Sequence, residues 1–175
     1  VIGASTTEGT VGYTLTENIL KNGYAGKVYP VNPKTNILFG LPCYKNITDI
    51  DDNIDLAIII IKANNVPQAL REAGEKGARS AIIISSGFKE TGGNGKLLED
   101  EIISIAKKYD IALLGPNCLG FLHPALGLNA SFAKHLPQNG KIAFFSQSGA
   151  LCTALLDLTV DNLGFAYFVS IGNKV

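Results

Sequence analysis

The 175 residues carry 15 basic and 15 acidic side chains, and 46% of them are hydrophobic. The balanced charge argues against a nucleic-acid partner, the apolar content excludes disorder, and the longest apolar run, Leu56 to Ile61, is too short to span a membrane. Cys43, Cys118 and Cys152 are odd in number and widely spaced, which fits neither a disulfide framework nor a zinc site, so a reducing, cytoplasmic setting and no metal are expected.

In chain order, Val1-Ile2-Gly3-Ala4-Ser5-Thr6-Thr7-Glu8-Gly9-Thr10-Val11-Gly12 reads as a strand end, a small-residue turn and a helix running to about Asn22. Glycines let the backbone turn sharply and let a ligand approach. The helix N-terminus behind the turn makes it a phosphate cradle. The spacing departs from G-x-G-x-x-G, because Ser5 stands where the second glycine belongs. Replacing Gly3 by valine is expected to fill the cradle and abolish nucleotide binding while the fold survives. Further strands are expected over Lys27–Val31, Leu56–Ile61, Ala81–Ile84 and Ile111–Leu114, with helices over Val66–Lys76 and Leu97–Tyr109. This alternation predicts an α/β fold with a doubly wound parallel sheet. Residues 115–140 are rich in Gly, Pro and Asn and read as a long irregular loop. A strand over Lys141–Phe145, a turn at Ser146-Gln147-Ser148-Gly149, a helix over Ala150–Asn162 and a strand over Phe165–Ser170 then open a second α/β unit. The chain begins inside one expected strand and ends just past another, so it reads as an excerpt.

In such a sheet the ligand lies at the carboxyl ends of the strands. An NAD site wants an acid after the second strand, where this chain has Asn32-Pro33-Lys34. A lysine there suits a nucleotide with an extra ribose phosphate, NADP or coenzyme A, although a lone lysine is often just solvated. Ser85 and Ser86 offer hydroxyls after the fourth strand, or simply a strand-end turn. Asn117 and Cys118 are presented between Gly115 and Gly120. Cys118 as a nucleophile needs a base that is not adjacent in sequence, and a small packing residue fits it better. Ser146–Gly149 suits a phosphoryl group at a helix start. It also partly matches a nucleophile elbow centred on Ser148, without its first glycine, and a plain Ser N-cap explains it as well. His123 and His135 lack metal-ligand spacing.

Taken together, the Val-Ile-Gly-Ala-Ser turn, Tyr29–Lys34, Gly87-Phe88-Lys89-Glu90, Gly115–Gly120, Leu128-Asn129-Ala130-Ser131-Phe132 and Ser146–Leu151 occur in an order that resembles the ADP-forming acetate–CoA ligases. These are NDP-forming acyl-CoA synthetases related to the succinyl-CoA synthetase alpha subunit. The resemblance implies a Rossmann-like CoA-binding domain over residues 1–125, a linker over 126–140, and the start of a succinyl-CoA-ligase-like flavodoxin domain over 141–175. It places CoA contacts at Gly3, Ser5, Thr6, Thr7, Glu8, Lys34, Ile84, Ser85 and Ser86, with Asn117 and Cys118 near the thiol and acyl group. It gives Ser146, Gln147, Ser148 and Gly149 the task of steadying a phosphohistidine. That histidine is neither His123 nor His135, so no catalytic residue is expected in this chain.

The implied reaction is acyl-CoA + ADP + phosphate ⇌ acid + CoA + ATP, through an acyl phosphate and the phosphohistidine. The full-length protein would use ATP or ADP with Mg, an ATP-grasp domain or subunit, a small carboxylic acid and an oligomeric assembly. Thr153 stands where the succinyl enzyme has a tyrosine, so the acid is expected not to be succinate. Two alternatives share parts of the pattern: a non-catalytic CoA-sensing module of a protein acetyltransferase, and an NADP-binding oxidoreductase domain.

Overall fold

In chain order the computed structural model, which describes residues 1–159 and 162–175, begins with helix α1 (Val11–Lys21) and the hairpin strands β1 (Ile37–Leu38) and β2 (Leu41–Pro42). It continues with β3 (Leu56–Ile59), α2 (Val66–Glu75), β4 (Ser80–Ile83), α3 (Asn94–Tyr109) and β5 (Ala112–Leu114). The remainder comprises β6 (Gly120–His123), β7 (Leu128–Ser131), β8 (Gln138–Ser146), α4 (Gly149–Thr159) and β9 (Gly164–Ser170).

The strands β3, β4 and β5 lie parallel, with Ile59 opposite Ile83 and Ala81 opposite Leu113. Single-residue bridges widen this sheet: Ile2 joins Ile59 on one side and Val31 on the other, and Val31 joins Tyr44. Numbering these segments as they occur in the chain, their spatial order is 3-2-1-4-5-6, that of dinucleotide-binding sheets. The order reverses between Ile2 and β3, which is where such folds bind their ligand.

Side chains on successive strand residues point to opposite faces. Ile59 and Ile83 therefore enter one core with Val66 and Leu70 of α2 and Ile102 of α3. Ile58 and Ile82 enter the other with Leu15 and Ile19 of α1. Each such side chain, fully buried, contributes about 1.5–3 kcal/mol of transfer free energy. The runs Leu56–Ile59 and Ala81–Ile83 are apolar at every position because both faces are covered there. A second, mixed sheet has the order β7-β6-β9-β8. Its core includes Leu122, Phe165 and Phe168, and Phe144 stacks on Phe168 at 4.6 Å. Two residues of α4, Cys152 and Leu156, close that core. The strand β8 is the outer edge of the sheet and leaves Phe145 and Ile142 exposed.

The α/β class and the parallel sheet follow the expectation, and several elements differ from it. Lys27–Val31 is not a continuous strand. Pro30 has no N–H to donate, and Lys27 and Tyr29 both turn to the Asp52 carboxylate, which Tyr29 reaches at 2.6 Å. The ladder there reduces to Val31. The strand expected to reach Ile61 ends at Ile59, beside Ile60 and the Ser85 hydroxyl. Residues 115–140, expected to be irregular, contain β6, β7 and the start of β8. The signal was hidden because all of β7 is buried, Asn129 and Ser131 included, so no polar–apolar alternation marks it. Those polar side chains bond each other, with the Ser131 hydroxyl donating to Asn129 Oδ1 at 2.6 Å. The helix expected to reach Asn162 is described to Thr159, and its expected course over Val160 and Asp161 lies outside the described residues.

Gly3 adopts φ +92°, and a Cβ there would land on the Ile60 carbonyl oxygen. The expectation that Gly3→Val spares the fold is thereby overturned, because the obstacle is neighbouring backbone rather than an open ligand gap. Gly3→Val should lower the stability of the chain by at least about 2 kcal/mol, read from the urea midpoint; an unchanged midpoint would contradict this close approach.

Candidate functional site

The turn after Ile2 is built by its own hydroxyls. Ser5 Oγ accepts from the Thr7 N–H at 3.0 Å, and the Thr10 hydroxyl donates to the Thr7 carbonyl at 2.7 Å. Thr10 also caps α1 by accepting from the Tyr13 N–H at 3.3 Å. A Cβ on Gly12 would strike the Gly3 carbonyl, so the helix starts hard against the strand end. The positive end of α1 thus faces the turn. Thr6, Thr7 and Glu8 are exposed on it, whereas Ala4 is fully buried and anchors it.

Asn32 occupies the place where an acid was sought, and it acts as a brace. Its amide Nδ2 donates to the Ala4 carbonyl at 2.8 Å, and its Oδ1 accepts from the Lys34 N–H at 2.9 Å. One side chain therefore fixes the glycine turn and the Lys34 loop to each other. Lys34 is exposed and makes no ion pair among the described residues, so its charge is free for an incoming anion.

The neighbouring loops are joined in sequence along the same rim. The Ile61 N–H donates to Ser85 Oγ at 3.1 Å, and the Asn117 N–H donates to the Ser85 carbonyl at 2.9 Å. Ser85 is thus spent on backbone, and Ser86 beside it is exposed. The Ile84 side chain lies in the core facing α1, so that residue can offer a ligand only its backbone. Asn117 adopts φ +57° and is exposed, with its amide Nδ2 donating to Asn173 Oδ1 at 3.4 Å. Cys118 points the other way, into the core, with its thiol donating to the Ile83 carbonyl at 3.4 Å.

Farther along the rim, Ser146 Oγ accepts from the Ser148 N–H at 3.1 Å, and Ser148 Oγ accepts from the Leu151 N–H at 3.2 Å. These are a hydroxyl turn and an N-cap for α4. Gln147 is exposed, and Gly149, the first helical residue, faces open space. The turn is tied to the end of β9 and through Ser170 to the loop after β5. The Ile171 N–H donates to the Ser146 carbonyl at 2.8 Å, and the Leu119 N–H donates to Ser170 Oγ at 3.0 Å. Sequence reading missed Asn32 as a brace and Asn173 altogether. Asn173 lies 83 residues from Glu90, which it touches, and no local pattern carries such a contact. His123, at the end of β6, packs edge-on to Tyr167 at 4.7 Å and belongs to the second sheet.

Burial pushes the Cys118 thiol up to about 12. Burial also raises Cys43 and Cys152, the latter against opposing hydrogen bonds from Ser170 and Ser146. A raised value leaves less thiolate at any given pH, and thiolate is the reactive form. The folded chain should therefore resist an aromatic disulfide reagent at about pH 8, and all three thiols should react once denaturant is added. Prompt labelling of Cys118 in the native state would reinstate it as a nucleophile.

Comparison with known proteins agrees with this arrangement. Residues 1–124 match the family described as CoA binding domain, and residues 139–175 match the succinyl-CoA ligase like flavodoxin domain. The chain is 47% identical over 175 residues to an acetate–CoA ligase (ADP-forming) of Methanocaldococcus jannaschii, covering 99% of this chain and 24% of that protein. It is 45% identical over 177 residues to a 4-hydroxybutyrate–CoA ligase (ADP-forming) of Nitrosopumilus maritimus, covering 99% of this chain and 25% of that protein. An acetyl-coenzyme A synthetase of Ca. Korarchaeum cryptofilum, solved in complex with phosphate and ADP, superposes with a TM-score of 0.95 at 40% identity, covering 99% of this chain and 37% of that one. The chain thus spans about a quarter of the length of these two curated relatives. The turn before α1, the switch point beside it and the match over residues 1–124 agree, and the chain belongs to the CoA-binding domain family.

Proposed function

We propose that the chain is the CoA-binding portion of an ADP-forming acid–CoA ligase, catalysing acyl-CoA + ADP + phosphate ⇌ acid + CoA + ATP in the full-length protein. The observation that carries the CoA assignment is the Asn32 brace, which sets beside the glycine turn at the switch point a lysine that makes no ion pair among the described residues. The diphosphate would lie on the turn at Gly3 and Ser5–Thr7, facing the first N–H groups of α1. Lys34 would hold the ribose phosphate, which CoA carries and NAD lacks. Glu8 would repel a phosphate and so suits a hydroxyl or amide donor of the ligand. The backbone of Ile84, the Ser85–Ser86 turn and Asn117 would receive the pantetheine arm, with Cys118 supporting that loop from the core.

The Ser146–Gly149 turn would receive the phosphoryl group of a phosphohistidine supplied from outside this chain. Its hydroxyls and the α4 amides would offset the negative charge. On this reading residues 1–125 form the CoA unit, 126–140 the connection and 141–175 the start of the phosphoryl unit. ATP or ADP with Mg, an ATP-grasp partner, a small acid, an oligomeric assembly and a cytoplasmic location belong to the same proposal. The relatives' names support this reading over a protein acetyltransferase sensor or an NADP oxidoreductase.

Calorimetric titration of the chain with CoA, dephospho-CoA, NADP and NAD tests it. CoA is expected to bind and the dinucleotides are not; NADP binding without CoA would overturn the assignment. Lys34→Ala should weaken CoA about tenfold, the loss of one charge-assisted contact to phosphate, and leave dephospho-CoA unchanged. Equal losses for both ligands would remove Lys34 from the phosphate.

A further inference from the structure

Asn173, in the segment that leaves β9, has every polar atom engaged. Its backbone N–H donates to the Pro116 carbonyl at 2.8 Å, and its carbonyl accepts from Lys89 Nζ at 2.6 Å. Its amide Nδ2 donates to Glu90 Oε2 at 2.6 Å and to Glu99 Oε2 at 2.8 Å, using both hydrogens. Its Oδ1 accepts from Asn117 at 3.4 Å. The carboxylates are themselves committed. Glu90 accepts from the Gly87 and Phe88 N–H groups at 2.6 and 3.1 Å. Glu99, almost wholly buried on α3, pairs with Lys89 at 2.9 Å. The residue before Asn173 shows the same intimacy in its backbone. Gly172 adopts φ +66°, and a Cβ there would strike the Pro116 carbonyl.

We propose that Asn173 is a positioning residue that locks the Gly87–Glu90 and Pro116–Asn117 loops to the segment carrying the Ser146 turn, so that the two candidate subsites move as one body. The connection is continuous: Asn173 holds Pro116 and Glu90, Asn117 holds Ser85, and Ile171 holds Ser146. Only a side chain with two amide hydrogens and one acceptor satisfies two carboxylates and Asn117 together. The catalytic meaning of the lock rests on the CoA-ligase reading, whereas the lock itself does not. The charged groups that face Asn173 are Lys89 and Glu90 from the turn at Lys89–Thr91 and Glu99 from α3, and the loop after β5 contributes the neutral Asn117.

The sign of the pH response distinguishes this role from packing. Asn173→Asp keeps the shape and replaces the shared donor by a third carboxylate. At about pH 7 three like charges repel and the lock opens; as pH falls toward about 5 a proton is taken up, is shared between carboxylates and recloses it. Asn173→Ala opens the lock at both pH values.

The test is amide hydrogen exchange on the full chain, reported as protection relative to the intrinsic rate at each pH. In Asn173→Ala the amides of Gly87, Phe88, Asn117 and Ile171 should lose roughly tenfold or more in protection, with the β3 and β4 amides unchanged as the control for folding. Asn173→Asp should show the same loss at about pH 7 and regain most of it at about pH 5. It also serves as the test if the alanine variant fails to fold. Full protection in both variants, or an Asp variant indifferent to pH, overturns the proposal. CoA titration of the same samples separates the two readings. If the wild type binds no CoA the ligase assignment fails, while exchange still decides the lock. If the wild type binds CoA, affinity should fall about fivefold in Asn173→Ala, and unchanged affinity refutes the positioning of the CoA loops.

Discussion

Backbone touching backbone at Gly3 and Ile60 governs the arrangement of this chain. Strand end and strand end meet where no side chain fits between them, and Gly12 brings the start of α1 against the same point. Two strands and a helix terminus therefore converge within a few ångströms. The positive helix end is held at the crevice by packing. The turn's shape is set by the hydroxyls of Ser5 and Thr10. Preorganisation of this kind lowers the ordering cost of binding.

From this point the rim is a relay of main-chain bonds. Asn32 ties the glycine turn to the Lys34 loop, Ser85 ties β3 to β4 and to Asn117, and the segment after β9 ties these to Ser146. Polar side chains that looked available in the sequence are mostly occupied with this work. Burial raises the Glu90 carboxyl, and hydrogen bonds from Asn173 and the Gly87 and Phe88 amides more than offset it, so it is held below the ordinary glutamate range. It is an anionic acceptor built for structure. Among the candidate residues those left exposed are Thr6, Thr7, Glu8, Lys34, Ser86, Asn117, Gln147 and Ser148.

Legibility in the sequence followed the range of the interactions. The apolar runs at Leu56–Ile59 and Ala81–Ile83 declare themselves because covered strands need apolar residues at every position. The helices α2 and α3 are likewise legible from their apolar spacing, and the glycine turn and its helix from local chemistry. What escaped is what depends on distant partners. The bridge at Tyr44 has no flanking pattern. The hairpin turn places Phe39 at φ +51°, which a Tyr13 ring 4.9 Å away helps to hold. The buried Asn129 and Ser131 disguise β7 as a loop. Cys118 packs inward, as its reading as a small packing residue expects, but the sequence does not tell that the same loop turns Asn117 outward. The direction of a side chain in such a loop depends on one φ angle, which composition does not encode.

The edge strand β8 bears on how the chain behaves in solution. Seven of its nine residues pair along one side with β9, with a register shift around Gly140 and Lys141. Phe145 is 59% exposed on it, and Leu151 and Leu158 are exposed on the adjoining helix α4. A long edge with apolar side chains is a template for strand addition by another chain. Lys141 is the charged residue in it, and it lies toward the N-terminal half, away from Phe144 and Phe145. A strand laid along the free side of β8 would lie beside Phe145 and Ile142, the apolar side chains that this edge leaves exposed.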